Sequence, residues 1–159
     1  MADTQTLRGL DDVLRKLKAL PPAIVSKRGG PVRKALRKGA VVVQKEWQSQ
    51  IRQIVEQPDP SGYVSTGRLE KSVQVSLDSK PGRSNANEAY RVKIKRQTYP
   101  DGTKTIATAR WLEFGTEDRP ATPFATPGYF ASRQKALNTI VTELSRGIDA
   151  IIKKLSRGA

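Results

Sequence analysis

The sequence predicts an α+β fold, with a long N-terminal helix and a C-terminal helix packed on a small antiparallel sheet. Three observations carry this. Apolar residues recur at helical spacing from Pro31 to Glu56 and again from Phe130 to Leu155. Between those stretches, two short runs alternate apolar and polar residues: Val73–Leu77 and Tyr90–Ile94. Helices, then strands, then a helix define the α+β class, and 159 residues without an internal repeat fit one domain.

The elements follow in chain order. Residues 1–8 are polar and are expected to fray. Leu10, Val13, Leu14 and Leu17 place one apolar face on a short helix from Leu10 to Leu20, and Asp11 and Asp12 suit the dipole of its first turn. Pro21-Pro22 stops it, an apolar turn is expected at Ala23–Val25, and Gly29-Gly30 breaks the chain again. Pro31 is well placed at a first helical position, where an N–H is not needed. From there Val32, Leu36, Ala40, Val43, Trp47, Ile51 and Ile54 follow at steps of 4, 4, 3, 4, 4 and 3, one continuous stripe that ends before Pro58. On this reading Trp47 is core.

A loop containing Pro58, Pro60 and Gly62 leads to Thr66-Gly67-Arg68-Leu69-Glu70-Lys71-Ser72, a turn or short helix. The two strands come next, separated by a polar loop. Tyr99-Pro100-Asp101-Gly102 is a turn signature, and Thr103–Ile106 is expected to return as a further short strand, so the sheet holds two to four strands. In the last third, Phe130, Leu137, Val141, Leu144, Ile148, Ile151 and Leu155 recur by 7, 4, 3, 4, 3 and 4, with Gly147 a soft spot in that helix.

Composition excludes much chemistry. Cys and His are absent, which removes disulfides, thiol nucleophiles, Cys/His zinc sites and imidazole acid–base catalysis. No Walker loop, dinucleotide fingerprint or paired-carboxylate spacing occurs, so no enzyme, metal or cofactor is expected. Asp101, Glu117 and Asp118 read as solvated surface. No apolar run approaches the roughly 20 residues of a membrane span, and no signal-peptide pattern opens the chain. The apolar fraction of 36% lies below the typical value of about 45–50%, a figure that also counts Gly. Part of the burial is therefore expected to come from a partner.

The net charge is +14, which favours polyanionic partners. Between Val13 and Lys45 lie ten Lys/Arg and no acidic residue. Lys27, Arg28, Arg33, Lys34, Arg37 and Lys38 are the densest part; Arg33 and Arg37 are one helical turn apart, as are Lys34 and Lys38, giving two adjoining basic rows. These rows suit either phosphate contact or an acidic neighbouring surface.

The most distinctive stretch is Trp111-Leu112-Glu113-Phe114-Gly115-Thr116, followed by Arg119-Pro120-Ala121-Thr122-Pro123-Phe124. Gly115 permits a positive φ, and the prolines bias Arg119 and Thr122 towards extended backbone. A strand-like Arg119–Thr126 then presents Phe124 for packing. Trp111 is either core or an anchor in a subunit contact. Glu113, between two large apolar residues, needs a partner if buried; Arg68 is the candidate, with a solvated Glu113 the alternative.

Taken together and in order, three pieces resemble the tail-completion family of siphophages, related to the lambda minor tail protein Z. They are Gly9-Leu10-Asp11-Asp12-Val13-Leu14 with the long helix through Ala35–Ala40, the Thr66–Ser72 segment, and Trp111–Thr116 with Pro120–Pro127. The resemblance implies a non-enzymatic virion protein of the neck, present in the host cytoplasm during assembly. It implies a homo-oligomeric, hexameric ring that completes the tail and joins it to the DNA-filled head, bounded by other neck and tail proteins and enclosing duplex DNA. Thr66, Gly67, Arg68, Leu69, Trp111, Glu113, Phe114, Gly115, Thr116, Pro120, Pro123 and Phe124 are then its structural or interface positions. The competing expectation, carried by charge alone, is a cytosolic, sequence-nonspecific nucleic-acid-binding protein.

Overall fold

A computed structural model of the protein describes residues 11–16, 18–20, 30–57, 64–80 and 88–157. Its elements are α1 (Pro31–Glu56), α2 (Arg68–Ser72), β1 (Val73–Leu77), β2 (Tyr90–Ile94), α3 (Thr105–Phe114) and α4 (Ala125–Arg157); residues 11–16 are helical too. The class is α+β, and among the described residues the sheet is a two-stranded antiparallel ribbon. The expectations for residues 1–8, for Ala23–Val25, and for Lys27 and Arg28 lie outside the described residues.

α1 is the central element, touched by α4, both strands and α2. α4 runs back along it: Gly147 faces Pro31, Gly39 faces Ala136 and Ile140, and Gly128 faces Trp47 and Gln50. That order makes the two helices antiparallel. Their seam is built from small, buried residues, namely Pro31, Ala35 and Gly39 on α1 and Gly128, Ser132 and Ala136 on α4. A Cβ on Gly39 would lie 2.6 Å from Ile140 Cδ1 and 3.2 Å from the Ala136 carbonyl oxygen. On Gly147 it would lie 2.7 Å from Pro31 Cβ. Both positions therefore need glycine for close approach.

This corrects two expectations. Val32, Leu36, Ala40 and Val43 are half-buried and flank the seam, whose deepest residues lie one position earlier at Pro31, Ala35 and Gly39. Gly147 is a close contact rather than a soft spot. A third correction concerns the last helix: it starts at Ala125, and Phe130 is exposed. Phe130 lies two residues past Gly128, about 200° round the helix from the seam.

Two apolar clusters result. Val13, Leu20, Ala35, Leu144 and Ile148 close the end where the segment 11–20 meets α4. Ile51, Leu69, Val73, Ala109 and Phe124 close the other, with Trp47, Val92, Ile94 and Leu112 packed against them. In the ribbon, Val73 pairs with Ile94 and Leu77 with Tyr90. Gln44 Nε2 on α1 donates to the Val73 carbonyl (2.8 Å) and Gln48 Nε2 to that of Glu70 (3.3 Å), so polar side chains of α1 hold the ribbon's start.

The expected strand at Thr103–Ile106 is instead the start of α3, preceded by an isolated bridge between Thr98 and Lys104. The turn before it is present: Gly102 N donates to the Tyr99 carbonyl (3.0 Å), with Gly102 at φ 86°. Buried Thr105 then ends the extended run. Its hydroxyl donates to the Lys95 carbonyl (2.8 Å) and accepts from Gln97 N (3.0 Å). Beyond it Ile106, Ala109 and Leu112 recur every third residue, a helical spacing.

The seam yields a test. In an open helix Gly→Ala gains about 1 kcal/mol. At Gly39 overpacking outweighs that, and urea unfolding of Gly39→Ala is expected to show a net loss of roughly 1–3 kcal/mol.

Candidate functional site

The corner between α3 and α4 is organised by Glu113. Helices leave their first four N–H groups without intrahelical partners. Here Phe124 N (2.9 Å) and Ala125 N (2.8 Å) donate to Glu113 Oε2, while Thr126 N (2.9 Å) and the Thr126 hydroxyl (2.5 Å) donate to Oε1. The next residue, Pro127, has no N–H to satisfy. One carboxylate thus caps the whole N-terminus of α4, where the helix dipole also favours negative charge. Burial pushes the Glu113 carboxyl up, but the Thr126 hydroxyl and the N–H groups of Ala125, Thr126 and Phe124 outweigh it and hold the group below its ordinary value.

The backbone between is locked. Gly115 N donates to the Trp111 carbonyl (2.8 Å), ending α3. Gly115 sits at φ 77° and ψ −178°, a region open essentially to glycine alone. A Cβ there would lie 2.9 Å from both Ala121 N and the Arg119 carbonyl oxygen. Thr116 N donates to Arg119 O (2.9 Å) and Thr122 N to Leu112 O (2.8 Å), which folds the chain back. Pro120 and Pro123 are exposed on this loop, and Phe124 at its end is 2% exposed, edge-on to Trp47 with ring centroids 5.7 Å apart. The expected strand-like run stops at Phe124; Thr126 belongs to the helix.

Arg68 is not the partner of Glu113. Its guanidinium donates to the Thr98 carbonyl and lies 5.7 Å from the Tyr99 ring centroid. Arg68 thereby ties α2 to the turn before α3. Gly67, at φ 65°, begins α2; Ser65 Oγ accepts from Gly67 N (3.2 Å) and Thr66 Oγ1 from Arg68 N (3.4 Å). Leu69 is buried in the same cluster as Phe124, with Leu112 packed against it. The Thr66–Leu69 motif and the corner therefore meet through their apolar members.

Not all of the corner is inward. Trp111 is 50% and Phe114 77% exposed at the end of α3, and Tyr129 (51%) and Phe130 (59%) are exposed in the first turns of α4. Tyr129 and Phe130 pack edge-on at 5.5 Å, with Arg133 over the Phe130 ring at 5.3 Å. The sequence reading missed Tyr129 and the outward aim of Phe130. Two consecutive aromatics in one helix cannot both enter one narrow seam, which was the available signal.

The basic rows of α1 are partly engaged. Arg33 pairs with Glu88 (2.8 Å) and Lys38 with Glu143 (2.6 Å), whose carboxyl the Lys38 ammonium holds below its ordinary value. Lys34 and Arg37 are exposed and make no ion pair among the described residues. Asp101 accepts from Thr103 N (2.9 Å) and serves its turn. Among the described residues no three acidic side chains gather as metal ligands, and no helix is long and apolar enough to cross a membrane.

The family model described as "Bacteriophage HK97-gp10, putative tail-component" matches residues 11–115 of the 159. The chain belongs to this family of phage tail components, and as such to the virion. The match ends at Gly115, so Glu113 falls inside it and α4 beyond it. No curated protein and no solved structure was found to match the chain.

Two expected outcomes test the corner. Glu113→Gln removes the charge from the cap and is expected to cost about 1–3 kcal/mol in chemical unfolding. Because the folded carboxyl titrates below its unfolded value of about 4.3, its stabilisation is complete above that pH and is lost as pH falls through the folded pKa. The difference between wild type and Glu113→Gln should therefore shrink in acid. Gly115→Ala meets backbone on two sides and is expected to lower stability by about 1–3 kcal/mol or more in the same assay.

Proposed function

We propose that this tail component is a neck subunit. It assembles into a homo-oligomeric ring that completes the tail and joins it to the DNA-filled head, around the channel through which DNA leaves. The resemblance to the tail-completion family supports a hexameric ring bounded by the other neck and tail proteins. The role is non-enzymatic.

One observation carries the reading: the exposed aromatics at the corner. Trp111, Phe114, Tyr129 and Phe130 are held on two helices whose junction is capped and glycine-locked. Aromatic side chains presented on a rigid frame are typical anchors of subunit contacts. In a ring each subunit covers its neighbour's patch, which also accounts for the modest apolar content. A free nucleic-acid-binding protein would explain the charge but gives those aromatics no role.

Electron microscopy of a lysate from phage with a nonsense mutation in this gene tests the role. DNA-filled heads beside separate or defective tails, rescued by supplying the protein, are expected; normal infectious particles would sink the proposal. The contact itself is tested by Trp111→Ser with Phe114→Ser. These exposed positions should leave the thermal midpoint within a few degrees of wild type. The variant should nevertheless fail to rescue, and should sediment as the free subunit where the wild type assembles.

A further inference from the structure

We propose that the outward face of the β1–β2 ribbon is a contact surface for the phosphate backbone of duplex DNA. Along β2, Tyr90, Val92 and Ile94 are half-buried while Arg91, Lys93 and Lys95 are exposed. Lys95 continues the row because its N–H donates to the Ser72 carbonyl (2.7 Å), extending the ladder by one pair. Alternate residues of a strand stand about 6.6–6.8 Å apart, so three cations span roughly 13 Å on one face. Their cross-strand neighbours are Ser76, opposite Arg91, and Gln74, opposite Lys93. Both are uncharged hydrogen-bonding side chains of the kind that accompany phosphate contacts.

Among the described residues only one of the three cations has an ion-pair partner. Arg91 pairs with buried Asp78 (2.5 Å), but Lys93 and Lys95 make no ion pair among the described residues. The chain that joins the strands, 78–89, holds two acids, and both are already paired, Asp78 with Arg91 and Glu88 with Arg33. The contrast with α1 is direct, since Arg33 and Lys38 there already have carboxylate partners.

Nucleic acid rather than protein is the occupant this face fits. Gln74, Ser76, Arg91, Lys93 and Lys95 include no apolar or aromatic side chain, so a protein partner would find no anchor. The exposed aromatics lie elsewhere, on α3 and α4. Among the described residues no helix offers its end or side along this cation row to enter a groove, so binding is to phosphates and independent of base sequence. The ribbon is backed by α1 through the bond from Gln44 to Val73, which holds the cations on a rigid support. The inference is independent of the neck proposal, because it concerns the free chain and naked DNA.

Fluorescence anisotropy with two unrelated labelled duplexes of about 30 bp, across roughly 50–200 mM salt, tests it. Lys93→Ala with Lys95→Ala is the test variant; Arg91 is left in place because its removal would strand Asp78. Wild type should bind both duplexes alike, with affinity falling steeply with salt. The variant should bind about tenfold more weakly and lose about 2 from the log–log salt slope, near 0.9 per phosphate contact. Its thermal midpoint should hold or rise, since like charges are being removed. A charge-matched control, Lys153→Ala with Lys154→Ala, should change neither affinity nor slope. An unchanged slope in the test variant overturns the proposal, as does loss of binding from Lys34→Ala with Arg37→Ala instead. Wild-type binding to poly-glutamate but not to either duplex would overturn it in favour of an acidic protein partner.

Discussion

The Glu113 carboxylate decides where α4 begins, and α4 decides how the rest can pack. Without it, the part-buried N–H groups of Phe124 and Ala125 would have no acceptor, beside the cluster in which Phe124 packs on Trp47. Unmet donors near an apolar cluster are costly, so the helix would start later or elsewhere. With the carboxylate in place the first turn is complete from Ala125, and Gly128 arrives opposite Trp47. Every later register position on α4 follows from that start. Ala136 meets Gly39 and Gly147 meets Pro31 because a helix gives no freedom to shift one contact without shifting all.

That coupling explains why the seam is made of small residues. α1 and α4 approach closely along several turns, and each would-be Cβ at Gly39, Gly128 or Gly147 meets an atom of the other helix closer than ordinary contact distance. Bulk is displaced to the flanks, where Val32, Ile140, Val141 and Ile151 pack around the buried Leu144 and Ile148. A periodic pattern of large apolar residues therefore located both helices and found the buried Ile51, Leu144 and Ile148, while in the first half of α1 it pointed one position away from the line of contact. Small residues carry little hydropathy signal, so Ala35 and Gly39 could not be distinguished from neutral filler by pattern alone.

The corner was legible in part for similar reasons. Gly115 and the prolines announce backbone geometry directly, because only Gly tolerates that φ and Pro restricts what precedes it. That Glu113 needed a partner followed from its apolar neighbours. The partner was invisible because it is backbone: N–H groups have no identity in a sequence, whereas Arg68 does, and it attracted the assignment. The hint was Thr126-Pro127, a hydroxyl followed by a residue without an N–H, which suits a first helical turn. The strand misplaced at Thr103–Ile106 has the same origin, since four residues cannot separate period two from period three, and the hydroxyl of Thr105 settles the matter through bonds to Lys95 and Gln97.

Net charge was likewise a poor guide to which surface is charged. The longest basic run lies on and before α1, yet folding brings Glu88 from beside β2 and Glu143 from α4 to Arg33 and Lys38. Opposite charges far apart in the chain cancel where α1 meets its neighbours. On the ribbon they cancel only at Arg91, which pairs with Asp78; alternation sends every second residue of β2 to the same face, and those residues are all cationic. A neck subunit of the kind proposed would both join proteins and stand near DNA, and these demands conflict if placed on one surface. Aromatic anchors bury best where lysines are few, whereas phosphates are held best where nothing apolar intervenes. Here aromatics stand on α3 and α4 and the cation row on β2, with α1 joining the two, an arrangement that lets the proposed subunit contact and the proposed phosphate contact form without competing.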